Sequence, residues 1–338
     1  MINSAIVGLG KMGLSHCSIL NANPYSNLTA ICDSSTFLLE AFNKYTDKKT
    51  YTDYKKMIDE NGINTLIVST PTKFHYDMVS YALQKNINVF CEKPFTLKIE
   101  EAGTLVELAK ERKLVNQVGY HNRFIGTFRE LKRLVDKNII GDIYHFQGEA
   151  YGPVVLKEKE STWRSNKGEG GGCLYDYSSH VINLINFIIG VPVKVKGTIL
   201  KSVFSSGVED TVYSTLIMKN DLSGLLLVNW SDETYRKMST SITIWGKKGK
   251  IVCDATELKI YLNYKNKEEK LKKGWNIKYI TGLTEPVNFY LRGEEYSAQM
   301  DYFIDCIRNG KAENVNSFES AMQTDKVIDM LIKNAEAV

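Results

Sequence analysis

Three groups of residues in this chain have the types and the spacing that chemistry needs. The first is Gly8-Leu9-Gly10-Lys11-Met12-Gly13, which directly follows the apolar run Ala5-Ile6-Val7 and directly precedes an apolar-periodic helix. Glycines at this spacing allow a tight turn, close backbone approach to a pyrophosphate, and tight helix–strand packing. The helix start then offers free N–H groups and its positive dipole end to the phosphates. Asp33 lies 20 residues beyond Gly13 and ends the next strand-like run, Thr29-Ala30-Ile31-Cys32. A carboxylate there accepts hydrogen bonds from the adenosine ribose and repels a 2′-phosphate. Ser34 and Ser35 follow and no arginine adjoins, which favours NAD and leaves NADP as the alternative. A second reading stands beside this one, in which Asp33 merely caps the next helix.

The second group is Asp176 and His180, four residues apart and therefore on one helix face. Asp176 falls in the first turn, where the helix dipole favours a carboxylate. Taking an alcohol to a ketone needs a base for the hydroxyl proton while hydride leaves, and an imidazole of pKa near ~6.5 suits that task at neutral pH. On spacing alone, a satisfied core histidine is an equal reading of His180. The third group is Glu92-Lys93-Pro94 at the end of the strand-like run Asn88–Cys91, and the carboxyl ends of parallel strands are where ligands of α/β sheets bind.

The elements that must position these groups follow from periodicity. Up to residue 122, short β-rich runs (4–8, 28–32, 65–69, 88–91, 114–119) alternate with helical stretches such as 74–85 and 99–113. In the last of these Ala102, Leu105, Val106, Leu108 and Ala109 make one apolar face. Alternation of this kind implies βαβ crossovers and a parallel, doubly wound sheet, the α/β Rossmann arrangement, over residues 1–122. From 123 to 338 the rhythm changes. A helix near 127–137, a strand near 143–148 and a Gly- and charge-rich loop over 151–172 precede a helix over 174–189, ended by Gly190 and Pro192. Long β-type runs follow at 193–203, 211–218, 222–230, 239–245 and 250–253, with turns expected at Asn220-Asp221 and Lys247-Lys248-Gly249. This pattern predicts an α+β domain with a large open, mostly antiparallel sheet. Two helices close the chain, one striped by Tyr296, Met300, Phe303, Ile304 and Ile307, the other over 318–335. The lysine-rich segment 265–273, interrupted by Glu268 and Glu269, reads as a solvated hairpin.

Composition narrows the function classes. The 338 residues carry 43% hydrophobic and 24% charged side chains, a globular balance, and a formal charge of +4 spread along the chain. The basic stripe that nucleic acid requires is missing, and so is an apolar run of the ~20 residues a membrane span needs. The six cysteines are scattered without a Cys-x-x-Cys pair, so reduced thiols and a cytoplasmic location are expected, with no metal site.

Glu92-Lys93-Pro94, the run Gly170-Gly171-Gly172-Cys173-Leu174-Tyr175-Asp176-Tyr177-Ser178-Ser179-His180, the glycine loop, His16 and Thr70-Pro71-x-x-x-His75 together resemble the glucose–fructose oxidoreductase / inositol dehydrogenase / rhizopine-catabolism (Gfo/Idh/MocA) family over nearly the whole chain. The resemblance implies a Rossmann domain followed by an open-sheet domain whose face often builds dimers or tetramers. It also implies hydride transfer between NAD(P) and a hydroxyl or ketone on a sugar, sugar nucleotide or cyclitol. By resemblance, His180 is the general acid/base, Lys93 hydrogen-bonds the reacting oxygen, Asp176 orients the hydroxyl or His180, and Pro94 shapes the turn presenting Lys93. Cofactor contacts are expected from Gly8, Gly10, Lys11, Met12, Gly13, Asp33, Ser34, Thr70, Pro71, His75, Glu92, Lys93, Trp163 and Arg164. The glycines before Asp176 are expected to leave space for substrate or nicotinamide. Tyr235 is a candidate for the substrate side, with a solvent-facing role as the alternative. His16, His121, His145 and Asn122-Arg123-Phe124 read as structural, and Cys173 has no base to make it a nucleophile. Lys157, Lys159, Arg164 and Lys167 could meet a nucleotide diphosphate, but Glu158, Glu160 and Glu169 offset them. Two other activities fit the same family: a glycosidase using transient oxidation, and a non-catalytic dinucleotide-binding regulator.

Overall fold

The computed structural model describes residues 1–154, 162–312 and 314–336. It divides into two compact units, the first made of Met1–His121 with Pro286–Met322 and the second of Asn122–Glu285 with the chain from Gln323 onward.

In the first unit the chain runs β1 (Ile2–Val7), α1 (Lys11–Ala22), β2 (Ser26–Cys32), α2 (Thr36–Asn43), β3 (Lys49–Tyr51), α3 (Tyr54–Glu60), β4 (Thr65–Val68), α4 (His75–Gln84), β5 (Asn88–Cys91), α5 (Ile99–Glu111) and β6 (Asn116–Val118). The strands form one parallel sheet in the order β3-β2-β1-β4-β5-β6. Both faces are covered, so the central strands are apolar throughout, as at Leu66, Ile67 and Val68. Strand order reverses between β1 and β4, and that reversal places the ends of these two strands at the crevice where such sheets take ligands. β3 is a three-residue edge strand, Lys-Thr-Tyr, too short for a periodic signal.

The second unit holds α6 (Gly126–Asp136), β7 (Ile143–Tyr151), a π turn over Leu174–Ser178 that leads into α7 (Ser179–Ile188), then β8 (Lys194–Lys201), β9 (Thr211–Ile217), β10 (Ser223–Asn229), β11 (Ser239–Gly246), β12 (Gly249–Asp254), β13 (Glu257–Leu262) and β14 (Gly274–Tyr279). These strands make an eight-stranded sheet in the order β14-β13-β12-β11-β7-β10-β9-β8, in which β7 and β10 are parallel and the other neighbours antiparallel. Alternate residues face α6 and α7, such as Phe146, Gly148 and Ala150 of β7, and these build the core. Gly148 lets α7 lie directly on the sheet, because a Cβ there would come 2.6 Å from Val181. The lysine-rich segment joins β13 to β14 through a bridge between Asn266 and Leu271. Glu269 is not merely solvated, since it pairs with Arg133 of α6 and with Lys137 just beyond that helix.

Two helices remain, α8 (Glu294–Arg308) and α9 (Phe318–Glu336). The sequence assigned all of 123–338 to one domain, yet residues 286–322 pack with the first unit. The apolar stripe explains this: Met300, Phe303 and Ile304 of α8 join Ile19 and Leu20 of α1 and Phe90 of β5 in one buried cluster.

Candidate active site

The glycine loop sits at the end of β1 beside the end of β4. Gly8 has a φ of +93°, and a Cβ there would come 2.6 Å from the Ser69 carbonyl oxygen. A side chain is excluded on both counts. At Gly13, in the first turn of α1, a Cβ would overlap the Gly8 carbonyl. Gly10 differs, because a Cβ there would meet nothing within 4 Å. Its bareness keeps the space over the helix start open. The first N–H groups of α1, those of Lys11, Met12 and Gly13, have no intrahelical partner and carry the positive end of the dipole. This donor set and this bare approach fit a dinucleotide pyrophosphate.

Asp33 accepts the Leu9 N–H on Oδ2 at 2.6 Å and the Ser35 N–H on Oδ1 at 2.8 Å. The cap of α2 is Ser35, whose hydroxyl accepts the Leu38 N–H. The acid therefore ties the exit of β2 to the glycine loop, with lone pairs left for a ribose. Ser34 beside it is exposed. Thr70 and Pro71 follow β4, and His75 is fully buried beneath them. Its Nε2 lies 2.9 Å from the Thr70 carbonyl, and its Nδ1 3.1 Å from the carbonyls of Pro94 and Phe95. The neutral ring carries one N–H, so His75 donates either to the Thr70 carbonyl or to those after β5. Burial holds its pKa below the ordinary imidazole value, against the pull of those carbonyls and of Glu92.

Glu92 and Lys93 leave β5 on a turn whose Lys93–Pro94 peptide is cis. Lys93 is half-buried and Glu92 is buried. The Glu92 Oε1 meets the His16 Nε2 of α1 at 2.6 Å, and its Oε2 accepts the Lys93 N–H at 3.3 Å. Burial pushes the Glu92 carboxyl upward, but the hydrogen bond and charge of His16, with Lys93 and His121, outweigh it and hold the carboxyl below its usual range. His121 stacks on Tyr296 with ring centroids 4.4 Å apart, and burial lowers its pKa to about 4. Both Glu92 oxygens thus have a partner within the chain.

In the second unit Asp176 lies within the π turn and His180 in the first turn of α7; both are buried, at 4% and 3% exposure. Extra residues in a helical turn of this kind recur at functional sites. Arg164 reaches back and donates from Nε to the Asp176 Oδ2 at 2.9 Å, with its guanidinium 4.5 Å over the Trp163 ring. The space on the Cβ side of Gly171 and Gly172 is taken by the chain itself. A Cβ at Gly171 would overlap the Arg164 carbonyl, and one at Gly172 would overlap the Glu209 carboxylate. Glu209 caps the π turn, accepting the Leu174 N–H at 2.8 Å, and burial raises its pKa. Nothing in the sequence near Glu209 signals this role. Below His180, the buried Arg123 donates to the Asn183 side chain at 2.6 Å and to its carbonyl at 3.1 Å, fixing α7. Tyr235 stacks on Tyr151 at 5.7 Å. Tyr151 alternates with Ala150 along β7. Cys173 is buried and its thiol is pushed well up by that burial. Lys157, Lys159, Glu158 and Glu160 lie outside the described residues.

Among the described residues there is no cluster of three or more metal-ligating side chains, and no helix long and apolar enough to cross a membrane. None of the six cysteines is in a disulfide, and all are buried.

Known proteins resemble the chain along its length. The family model GFO_IDH_MocA, described as an oxidoreductase family with an NAD-binding Rossmann fold, matches residues 2–120, and the GFO/IDH/MocA C-terminal domain matches 128–252. A scyllo-inositol 2-dehydrogenase (NAD(+)) of Bacillus subtilis is 23% identical over 329 residues, covering 96% of this chain and 91% of that protein. A scyllo-inositol 2-dehydrogenase (NADP(+)) of the same organism is 27% identical over 218 residues, 64% of this chain and 59% of that protein. Among solved structures, levoglucosan dehydrogenase in complex with NADH and L-sorbose aligns with a TM-score of 0.89 at 20% identity, covering 100% of this chain and 97% of that one. This last likeness shows a shared fold.

Proposed function

The chain belongs to the Gfo/Idh/MocA family of oxidoreductases with an NAD-binding Rossmann domain, and on that premise we propose that it is a dehydrogenase interconverting a secondary hydroxyl and a ketone on a sugar- or cyclitol-like substrate. The observation that carries the reading is the buried pair Asp176 and His180, one turn apart, with Asp176 pinned by Arg164. Relatives named for scyllo-inositol and levoglucosan support a polyhydroxylated ring as substrate.

When bound, NAD supplies the hydride acceptor. Gly8, Gly10, Gly13 and the N–H groups of Lys11 and Met12 hold its pyrophosphate, and Asp33 accepts from its ribose. His180 takes the hydroxyl proton at one ring nitrogen and returns it in the reverse direction. Lys93 donates to the reacting oxygen and stabilises negative charge there. Asp176, held by Arg164, orients the substrate hydroxyl or His180. Fixed groups of this kind lower the barrier because they need no reorganisation during the reaction.

A panel of cyclitols, free sugars and nucleotide sugars, each with NAD and with NADP, tests this by absorbance of the reduced nicotinamide. The reading expects net reduction with a polyol. Turnover without net reduction would replace it with a transient-oxidation glycosidase. A His180→Ala variant with full function would leave a non-catalytic dinucleotide binder. The helix-free face of the eight-stranded sheet exposes Tyr261, Trp275, Ile277 and Tyr279 at 40%, 49%, 49% and 58%, which supports a homodimer or homotetramer built on that face. Light scattering distinguishes these from a monomer.

A further inference from the structure

We propose that His16 is a positioning residue: through Glu92 it holds the turn that presents Lys93 in register with the helix that seats the dinucleotide. The inference rests on the role given to Lys93 above. His16 belongs to α1, whose first turn closes the glycine loop, and Glu92 directly precedes Lys93. The 2.6 Å bond between them joins two segments 76 residues apart in sequence. Glu92 spends its other oxygen on the Lys93 backbone N–H. One carboxylate is therefore shared between the cofactor helix and the peptide that carries the lysine.

Packing alone does not account for a histidine here. The ring is fully buried, edge-on to Phe90 at 5.1 Å, in surroundings a leucine would fill. Its Nδ1 finds no hydrogen-bond partner among the described residues, a cost that an apolar side chain would avoid. The Nε2 contact offsets that cost, since a buried ionised carboxylate needs a charged or strongly donating neighbour. The groups around the pair are fixed as well. A Cβ at Gly119 would come within 3.0 to 3.1 Å of the Glu92 carboxyl, and from the α8 side His121 stacks on Tyr296, with Arg292 5.5 Å over that ring. Lys93 is the remaining cation near Glu92.

Two replacements separate positioning from packing. His16→Gln keeps an N–H donor near the Nε2 position, and His16→Leu keeps bulk without it. Each is assayed for kcat and KM with the panel substrate that reduces NAD fastest, for NADH Kd by fluorescence, and for thermal midpoint. We expect His16→Leu to lose about 10- to 100-fold in kcat, the worth of one hydrogen bond to a charged group. His16→Gln should stay within about 3-fold of the parent, and NADH Kd should stay within about 3-fold in both. A His16→Leu kcat within about 3-fold of the parent, or a loss matched by NADH affinity and not rescued by Gln, overturns the inference. If His16→Leu does not fold, Glu92→Gln serves: an unchanged kcat there overturns it, and a roughly 10-fold fall at constant NADH Kd upholds it. Lys93→Ala separates the two levels. If that variant keeps its kcat, the reading of Lys93 fails; if it loses kcat while His16→Leu does not, only the positioning role fails.

Discussion

The Asp33 carboxylate accepts the Leu9 N–H at 2.6 Å, so the acid at the end of β2 is bonded to the glycine loop that follows β1. With Oδ1 held by the Ser35 N–H, the carboxylate has one orientation, and on the proposed role its charge disfavours a 2′-phosphate on the ribose. Asp33→Ala removes both the ribose acceptor and the repulsion. NAD affinity should fall about 10- to 100-fold while NADP affinity holds or rises. Fluorescence titration with the two reduced cofactors checks it, and an unchanged NAD-to-NADP ratio would count against a cofactor role for Asp33.

Arg164 spans the gap between the loop and the π turn. Its guanidinium is both stacked on Trp163 and bonded to Asp176, a geometry a lysine cannot reproduce. The arginine side chain is 40% exposed and screened, so the pair should contribute only about 1 kcal/mol to stability. Arg164→Ala and Arg164→Lys should therefore both lower kcat, by about 10-fold, with little change in thermal midpoint. An unchanged kcat in either variant would mean that the pair does not serve turnover.

His121 gives the fold a pH dependence of definite sign. Its folded pKa is depressed to about 4, chiefly by burial, against about 6.5 in an unfolded chain. Between those values the unfolded chain binds a proton that the folded one does not. The contribution is complete above about pH 6.5 and is lost as the pH falls towards about 4, where it amounts to about 3 kcal/mol. His75, also lowered by burial, acts in the same direction. His121→Phe keeps a ring against Tyr296, and its thermal midpoint should fall less than the parent's between pH 7 and pH 4 (about the range of imidazole titration). Parallel curves would refute the assignment.

What was legible in the sequence was local. The glycine loop, the run Asn88–Cys91 with the Glu92-Lys93-Pro94 turn after it, and the spacing of Asp176 and His180 are each set by residues within one element. The partners were not legible, because they come from far along the chain. Glu92 finds His16, Leu174 finds Glu209, and Arg123 finds Asn183 60 residues away. The π turn was hidden for the same reason: its N–H groups are capped by Glu209, a contact that helical periodicity does not report. His75 shows the converse. Its type and place suggest a cofactor contact, whereas the buried ring faces three backbone carbonyls and donates to one side of them. Gly171 and Gly172 admit the chain's own Arg164 carbonyl and Glu209 carboxylate, close approaches that a glycine run does not announce.

Hydride transfer with His180 as the base is open to a direct assay. Reduction of NAD is followed by absorbance with the best polyol of the panel, for the parent and for His180→Ala, with NADH affinity measured alongside. If His180 is the base, the parent gives stoichiometric reduced nicotinamide and the variant a kcat about 10²- to 10⁴-fold lower at similar NADH affinity. A His180→Ala enzyme within a few-fold of the parent, or a parent that binds NADH yet reduces no NAD with any polyol, would contradict it.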